Sequence, residues 1–162
     1  EFSLRDPGKI LDKARMIIVD ELSKNNQEDV KDGMDVSLCV IKQNTLIFSG
    51  ANNPLWYVRD DELHVIKGDK QPVGVHEVMN DFSSTEIKLE KGDAFYLFSD
   101  GYIDQFGGEK NKKLKSSGLK KLILKVCNEP MEAQNVFFNQ HFKNWKGNCE
   151  QMDDVCLIGF RI

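Results

Sequence analysis

The stretch FSDGYIDQFGG, residues 98–108, decides how the chain is read. It follows the apolar run Phe95-Tyr96-Leu97, so a buried strand ends at an aspartate, Asp100, with Gly101 behind it. A carboxylate at the end of a rigid strand, beside a residue that permits tight turning, is an arrangement that hard-cation sites use. Asp-Gly is also a common turn, and spacing alone leaves both readings standing. Two specific alternatives fail. A calcium loop counted from Asp100 has Tyr102 at its third position and Gln105 where the sixth needs glycine. Gly107-Gly108 lacks the Lys-Ser/Thr of a phosphate-binding loop. Two further acidic clusters stand at strand starts, Asp153-Asp154 in MDDV and Asp32 to Asp35 in DGMD.

Working outward, apolar residues alternate with polar ones over residues 34–40, the two-residue period of a half-buried strand. KQNT (42–45) then predicts a tight turn into a second strand over 46–49. Residues 55–59 and 63–67 predict another hairpin around Asp60-Asp61, and residues 82–89 and 94–98 a third, turned by EKGD. Before these, Asp6-Pro7 caps a helix to about residue 24, whose stripe is Ile10, Leu11, Ala14, Ile17, Ile18 and Leu22. Polar residues 25–32 predict a loop. Two helices are expected over 117–128 and 130–145, the second with Phe138, Phe142 and Trp145 on one face, and DVCLIGFRI predicts a last strand. The sum is an α+β domain of antiparallel sheets with helices packed outside them, expected to be a single domain over residues 1–162.

The composition sets limits. A formal net charge of −4 on 162 residues argues against a nucleic-acid surface. The one basic cluster, Lys110 to Lys115 with Lys120 and Lys121, reads as a solvated loop and helix face. No apolar run approaches a membrane span and no secretion signal opens the chain, so the domain is expected in the cytoplasm, compatible with a membrane anchor elsewhere in the parent protein. Cys39, Cys127, Cys149 and Cys156 lack metal-site spacing and read as reduced core thiols, and three scattered histidines suggest no triad.

Taken in order, DGMDVSLCVI, FSGANNPLWYVR, KQPVGV, GDAFYLFSDGYIDQFGG and QMDDVCLIGF resemble the phosphatase domain of the stage II sporulation protein E family, a bacterial branch of the metal-dependent type 2C serine/threonine protein phosphatases (PPM). The resemblance implies an antiparallel β-sandwich flanked by helices and a centre of two Mn²⁺ or Mg²⁺ ions. It implies that Asp100 and Asp153 are metal ligands, with Gly101, Asp154, Asp104, Gln105 and Asp35 as possible supporting residues. Asn52 and Asn53 are expected to fix a turn. In such a centre water activated by the ions attacks phosphorus, so no protein nucleophile is needed.

The family's Asp-x-Thr-Gly-His-Gly motif, whose Asp bridges both metals, is not found before Asp6. The chain is therefore expected to be the C-terminal part of the domain, lacking its N-terminal strands, with little activity alone, one metal or none, and sheet edges that invite dimerisation. The resemblance further implies a phosphorylated protein substrate of the anti-sigma-factor antagonist type and an upstream sensor domain. Two rival readings are a non-catalytic phosphatase-fold binding module and an unrelated α+β binding domain.

Overall fold

A computed structural model describes residues 5–24 and 33–162. The predicted loop over 25–32, including Asp32, lies outside the described residues. Elements follow in the order α1 (Pro7–Lys24), β1 (Gly33–Met34), β2 (Val36–Lys42), β3 (Thr45–Ala51), β4 (Leu55–Arg59), β5 (Glu62–Ile66), β6 (Val73–Gly74), β7 (Thr85–Lys88), β8 (Ala94–Phe98), α2 (Asp100–Asp104), β9 (Phe106–Gly107), β10 (Lys112–Lys113), α3 (Lys115–Val126), α4 (Met131–Lys146) and β11 (Leu157–Arg161). The described residues form two compact units, one drawn from residues 5–24, 33–55 and 65–90, the other from residues 56–64 and 91–162.

In the first unit the Asp6 carboxylate accepts the Lys9 N–H at 3.0 Å, the cap expected from the sequence, and this bond holds the Asp6 carboxyl below its usual range. Leu11 is buried with Ala51, Val73 and Phe82, and Ala14 and Ile18 pack against that cluster. Ile17, predicted for the stripe, is exposed, because Leu11, Ala14 and Ile18 already fill the buried arc and Ile17 falls on its flank. In its place Arg15 is buried, donating to Gln71 Oε1 at 3.2 Å and to Asp12 Oδ1 at 2.8 Å, with its guanidinium over the Phe82 ring. Strands β2 and β3 form the predicted hairpin, closed by Gln43 and Asn44, and β7 adds to β3 on the other side.

The second unit is built on the antiparallel sheet β11-β8-β4-β5. Asp60 and Asp61 both take positive φ (49° and 60°), the mirror-image two-residue turn whose twist suits a hairpin. One sheet face carries Trp56, Val58, Tyr96 and Phe98, buried with Leu119, Ile123 and Phe138 of α3 and α4. The other face carries a row of stacked rings, His64-Tyr57-Phe95-Phe160, one from each strand. Each such pair contributes roughly 1 kcal/mol beyond simple burial.

The third predicted hairpin does not form. Strand β7 pairs with β3, whereas β8 pairs with β4 and β11, so EKGD joins two sheets. The reason is a bond that alternation cannot reveal: the Asp93 carboxylate, 1 % exposed, accepts Arg59 Nε at 2.8 Å and Nη2 at 2.6 Å. The neighbouring backbone ties to the chain end through Gly92 N–H to Ile162 O and Ile162 N–H to Asp93 O, both 3.0 Å. Of the four cysteines, all free, only Cys127 is buried; Cys156 is exposed, because it precedes β11 in a peripheral segment.

Removing one partner of a buried ion pair strands the other charge in the interior. Arg59→Met is therefore expected to lower unfolding free energy by about 3 kcal/mol, with part recovered in the Arg59→Met/Asp93→Asn double variant. Urea denaturation reads this, and a loss near zero would contradict the assigned role of the pair.

Candidate metal-binding edge

Asp100 is placed by the end of β8. Phe98 is the last strand residue, Ser99 stays extended (φ −80°, ψ 161°), and α2 begins at Asp100. Ser99 does not use its hydroxyl to cap α2. Its Oγ donates to Asp154 O at 2.8 Å and accepts the Cys156 N–H at 2.9 Å, while its own N–H donates to Cys156 O at 3.0 Å. Three hydrogen bonds thus fasten the Ser-Asp-Gly segment to the Asp153-Asp154 segment, more than fifty residues away in sequence. Gly101 completes the junction: a Cβ there would lie 2.3 Å from Asp154 O, so only glycine lets the two backbones meet.

The two acids expected as ligands are therefore carried by segments that touch. Both are exposed, and the Asp100 carboxylate makes no hydrogen bond or ion pair with a described residue. Asp153 Oδ1 accepts the Asp154 N–H at 2.7 Å, and Gln151 Nε2 donates to Asp153 O at 2.9 Å, which orders this turn. The Asp154 side chain is exposed beside them.

The remaining candidates have other partners. Asp104 pairs with Lys113 Nζ at 2.7 Å and so anchors β10. Asp35, exposed in the other unit, accepts Asn52 Nδ2 at 2.7 Å, and Asn52 takes φ 57°, the turn role expected of it. Gln105 is buried. Its Nε2 donates to Phe106 O and Glu150 O, both at 2.9 Å, and its carbonyl accepts Trp145 Nε1 at 2.9 Å and the Leu114 N–H at 3.2 Å. Tyr102 is buried two residues after Asp100, its hydroxyl donating to Phe138 O at 3.1 Å and lying 3.3 Å from His141 Nδ1. Burial pushes the Tyr102 hydroxyl far above its usual range; burial and then Lys125 push His141 down. Helix α2 is thus pinned by its buried residues and presents Asp100 outward.

Of the residues that fix this geometry, Gln105 is among the supporting residues that the resemblance implies, whereas nothing in the sequence points to Ser99 in that role. A serine next to an Asp-Gly signals a local backbone bond, and only the fold shows that its bonds are long-range.

Among the described residues no group of three or more His, Cys, Asp or Glu stands where it could hold a metal ion. Asp100 and Asp153 supply the hard oxygen donors that Mg²⁺ or Mn²⁺ prefers, and they fit as one wall of a site otherwise filled by water and further ligands. They do not make a two-metal centre by themselves. A groove of about 800 Å³ between α4 and β11, with Tyr96, Met131, Phe142 and Leu157 among its lining, includes neither acid.

Loss of the Ser99 hydroxyl in Ser99→Ala removes two hydrogen bonds and is expected to cost about 1–2 kcal/mol, while Gly101→Ala forces the segments apart at about 1–3 kcal/mol. Urea midpoints check both, and an unchanged midpoint for Gly101→Ala would rule out the close approach.

Comparison with solved structures shows the same fold. The SiaA-PP2C domain of Pseudomonas aeruginosa superposes with a TM-score of 0.87 at 27% identity, over 98% of this chain and 61% of that one. The PP2C phosphatase domain of SpoIIE from Bacillus subtilis, solved with a fragment of its regulatory domain, gives a TM-score of 0.60 at 20% identity, over 79% of this chain and 37% of that one. The catalytic domain of the serine/threonine protein phosphatase PstP, solved with two manganese ions, gives 0.63 at 18% identity, over 90% and 65%. The chain thus spans about three fifths of the SiaA structure or less of the SpoIIE one. No curated protein sequence matches it. The family model for stage II sporulation protein E (SpoIIE) matches residues 4–162, and the chain belongs to that family.

Proposed function

We propose that the chain contributes the Asp100 and Asp153 carboxylates to a metal-dependent phosphatase site that removes phosphate from phosphoserine or phosphothreonine on a signalling protein. The observation that carries this reading is the Ser99 junction, which holds the two acid-bearing segments together in a chain of the SpoIIE family. Divalent ions held there would activate water and offset charge on the transferred phosphoryl group. The chain's own residues do the placing. Ser99 and Gly101 fix the spacing of the two segments, and Tyr102 and Gln105 fix the orientation of α2.

Two carboxylates that share a cation site repel each other until a cation relieves them, and these two do not complete a two-metal centre by themselves. Little turnover is therefore expected from this chain alone. The reading extends to a phosphorylated anti-sigma-factor antagonist as substrate, a sensor domain upstream in the parent chain, a cytoplasmic location and association as a homodimer. Its support for these is the family and the two exposed strands, β5 and β11, at the sheet edges.

The test is manganese-dependent hydrolysis of p-nitrophenyl phosphate by this chain and by one extended upstream through an Asp-x-Thr-Gly-His-Gly segment. Turnover is expected in the extended protein only, falling about 100-fold or more in Asp100→Asn, since even residues that merely support a metal ligand carry 10–100-fold effects. A folded but silent extended protein would instead favour a phosphatase-fold binding module.

A further inference from the structure

From Gln105 to Asn128 the sequence holds seven lysines and a single acid, Glu109, out of the chain's 26 acids. This segregation is not a solvated helix face alone. It begins on the β9-β10 ribbon, which follows α2 directly and is held rigidly. Gly107 and Gly108 lie flat against Trp145, where a Cβ on Gly107 would meet Trp145 O at 1.9 Å, and the Gly108 N–H donates to that carbonyl at 2.8 Å. Lys113 pairs with Asp104, four residues and so about 6 Å of helix rise from Asp100.

Three of the seven lysines have structural duties: Lys113 on Asp104, Lys120 over the Trp56 ring and Lys125 over the Phe137 ring. Lys110, Lys112, Lys115 and Lys121 have no ion-pair partner among the described residues, and all four are exposed. Lys115 also holds φ at 65°, a left-handed conformation that glycine or asparagine would take at less cost. The chain thus keeps a lysine where backbone geometry alone favours another residue.

We propose that the β9-β10 ribbon and the start of α3 form a docking surface for an acidic protein segment, namely the Glu/Asp-rich flank of a phosphorylated substrate. This rests on the phosphatase reading for the word substrate, though not for the binding. The location follows from the ribbon's attachment to the helix that carries Asp100. A peptide entering with its phosphorylated residue at the carboxylate edge would lay its flank along these lysines. In an otherwise acidic chain they supply the local attraction that steers an acidic partner and sets register. A preformed ribbon loses little conformational freedom on binding. Nucleic acid fits less well. Phe106 is the only aromatic residue from 105 to 128 and its ring lies beneath Lys113, so no stacking platform accompanies the charge.

The experiment is fluorescence anisotropy with a labelled ten-residue peptide of alternating Glu and Ser, titrated with this chain at 50 and 300 mM salt. Binding is expected to weaken with salt, and to fall at least tenfold in Lys110→Glu/Lys112→Glu/Lys115→Glu. The same sites changed to glutamine should lose affinity in the same direction with an unchanged circular-dichroism spectrum, while Lys42→Glu in the other unit should bind as the parent does. Absence of binding, or equal binding by the reversed variant, overturns the proposal. So does tighter, lysine-dependent binding of duplex DNA or of vesicles containing phosphatidylserine. Hydrolysis of p-nitrophenyl phosphate by the extended protein separates the two readings. Turnover without peptide binding removes the docking surface and keeps the phosphatase; peptide binding without turnover does the reverse.

Discussion

The hydroxyl of Ser99 is the contact on which the rest of the site depends. One oxygen donates to Asp154 O and accepts from Cys156 N, and it does so at the point where a central strand becomes a helix. Asp100 opens α2, whereas Asp153 and Asp154 lie in neither helix nor strand, so the separation of the two segments is set by these bonds and by the missing Cβ of Gly101. Two carboxylates left to solvent would spread apart; here the backbone keeps their segments adjacent, with the Asp100 carboxylate unpartnered among the described residues and Asp153 Oδ1 accepting the next residue's N–H.

That junction needs a rigid frame, and the second unit provides it in layers. Strand β8 is central in its sheet, with buried residues on both faces: Tyr96 and Phe98 packed against the helices, and Phe95 in the ring row across four strands. Several polar groups in this interior find partners, although Trp56 Nε1 and Gln105 Oε1 have none among the described residues. Tyr96 donates to Gln134 Oε1 at 2.8 Å, Gln134 donates to Glu129 O at 2.8 Å, and Arg161 donates to the Cys127 and Glu129 carbonyls at the turn between α3 and α4. Burial pushes the Tyr96 hydroxyl up to about 12, so it remains a neutral donor. The consequence is a strand end that cannot drift, which is what a ligand-bearing aspartate requires.

Local signals made much of this legible. Period-two alternation gave the β2-β3 and β4-β5 hairpins, the Asp-Pro pair gave the start of α1, and the aromatic spacing in α4 gave its buried face, all within a residue or two. What failed was pairing at a distance. The EKGD turn looks like a hairpin because its flanks alternate, yet Arg59 holds Asp93 and sends the chain into another sheet. Helix α2 was hidden for a similar reason: five residues are too few to show a helical period, and Tyr102 and Gln105 hold it by contacts that sequence spacing does not encode. The acids themselves stand out by their places at strand boundaries, and the resemblance gives Asp100 and Asp153 the ligand role. Their shared junction, and the partners that occupy Asp104 and Asp35, emerged only from the fold.

The central claim is that Asp100 and Asp153 face one cation at the Ser99 junction. Titration of this chain with Mn²⁺, followed by the electron paramagnetic resonance signal of the free ion, tests it most directly. The account predicts a weak site of about one ion whose affinity drops at least tenfold in Asp100→Asn and in Asp153→Asn alike, and less in Asp104→Asn, consistent with direct ligands mattering more than their surroundings. A site that ignores both substitutions, or no binding at all, would contradict it.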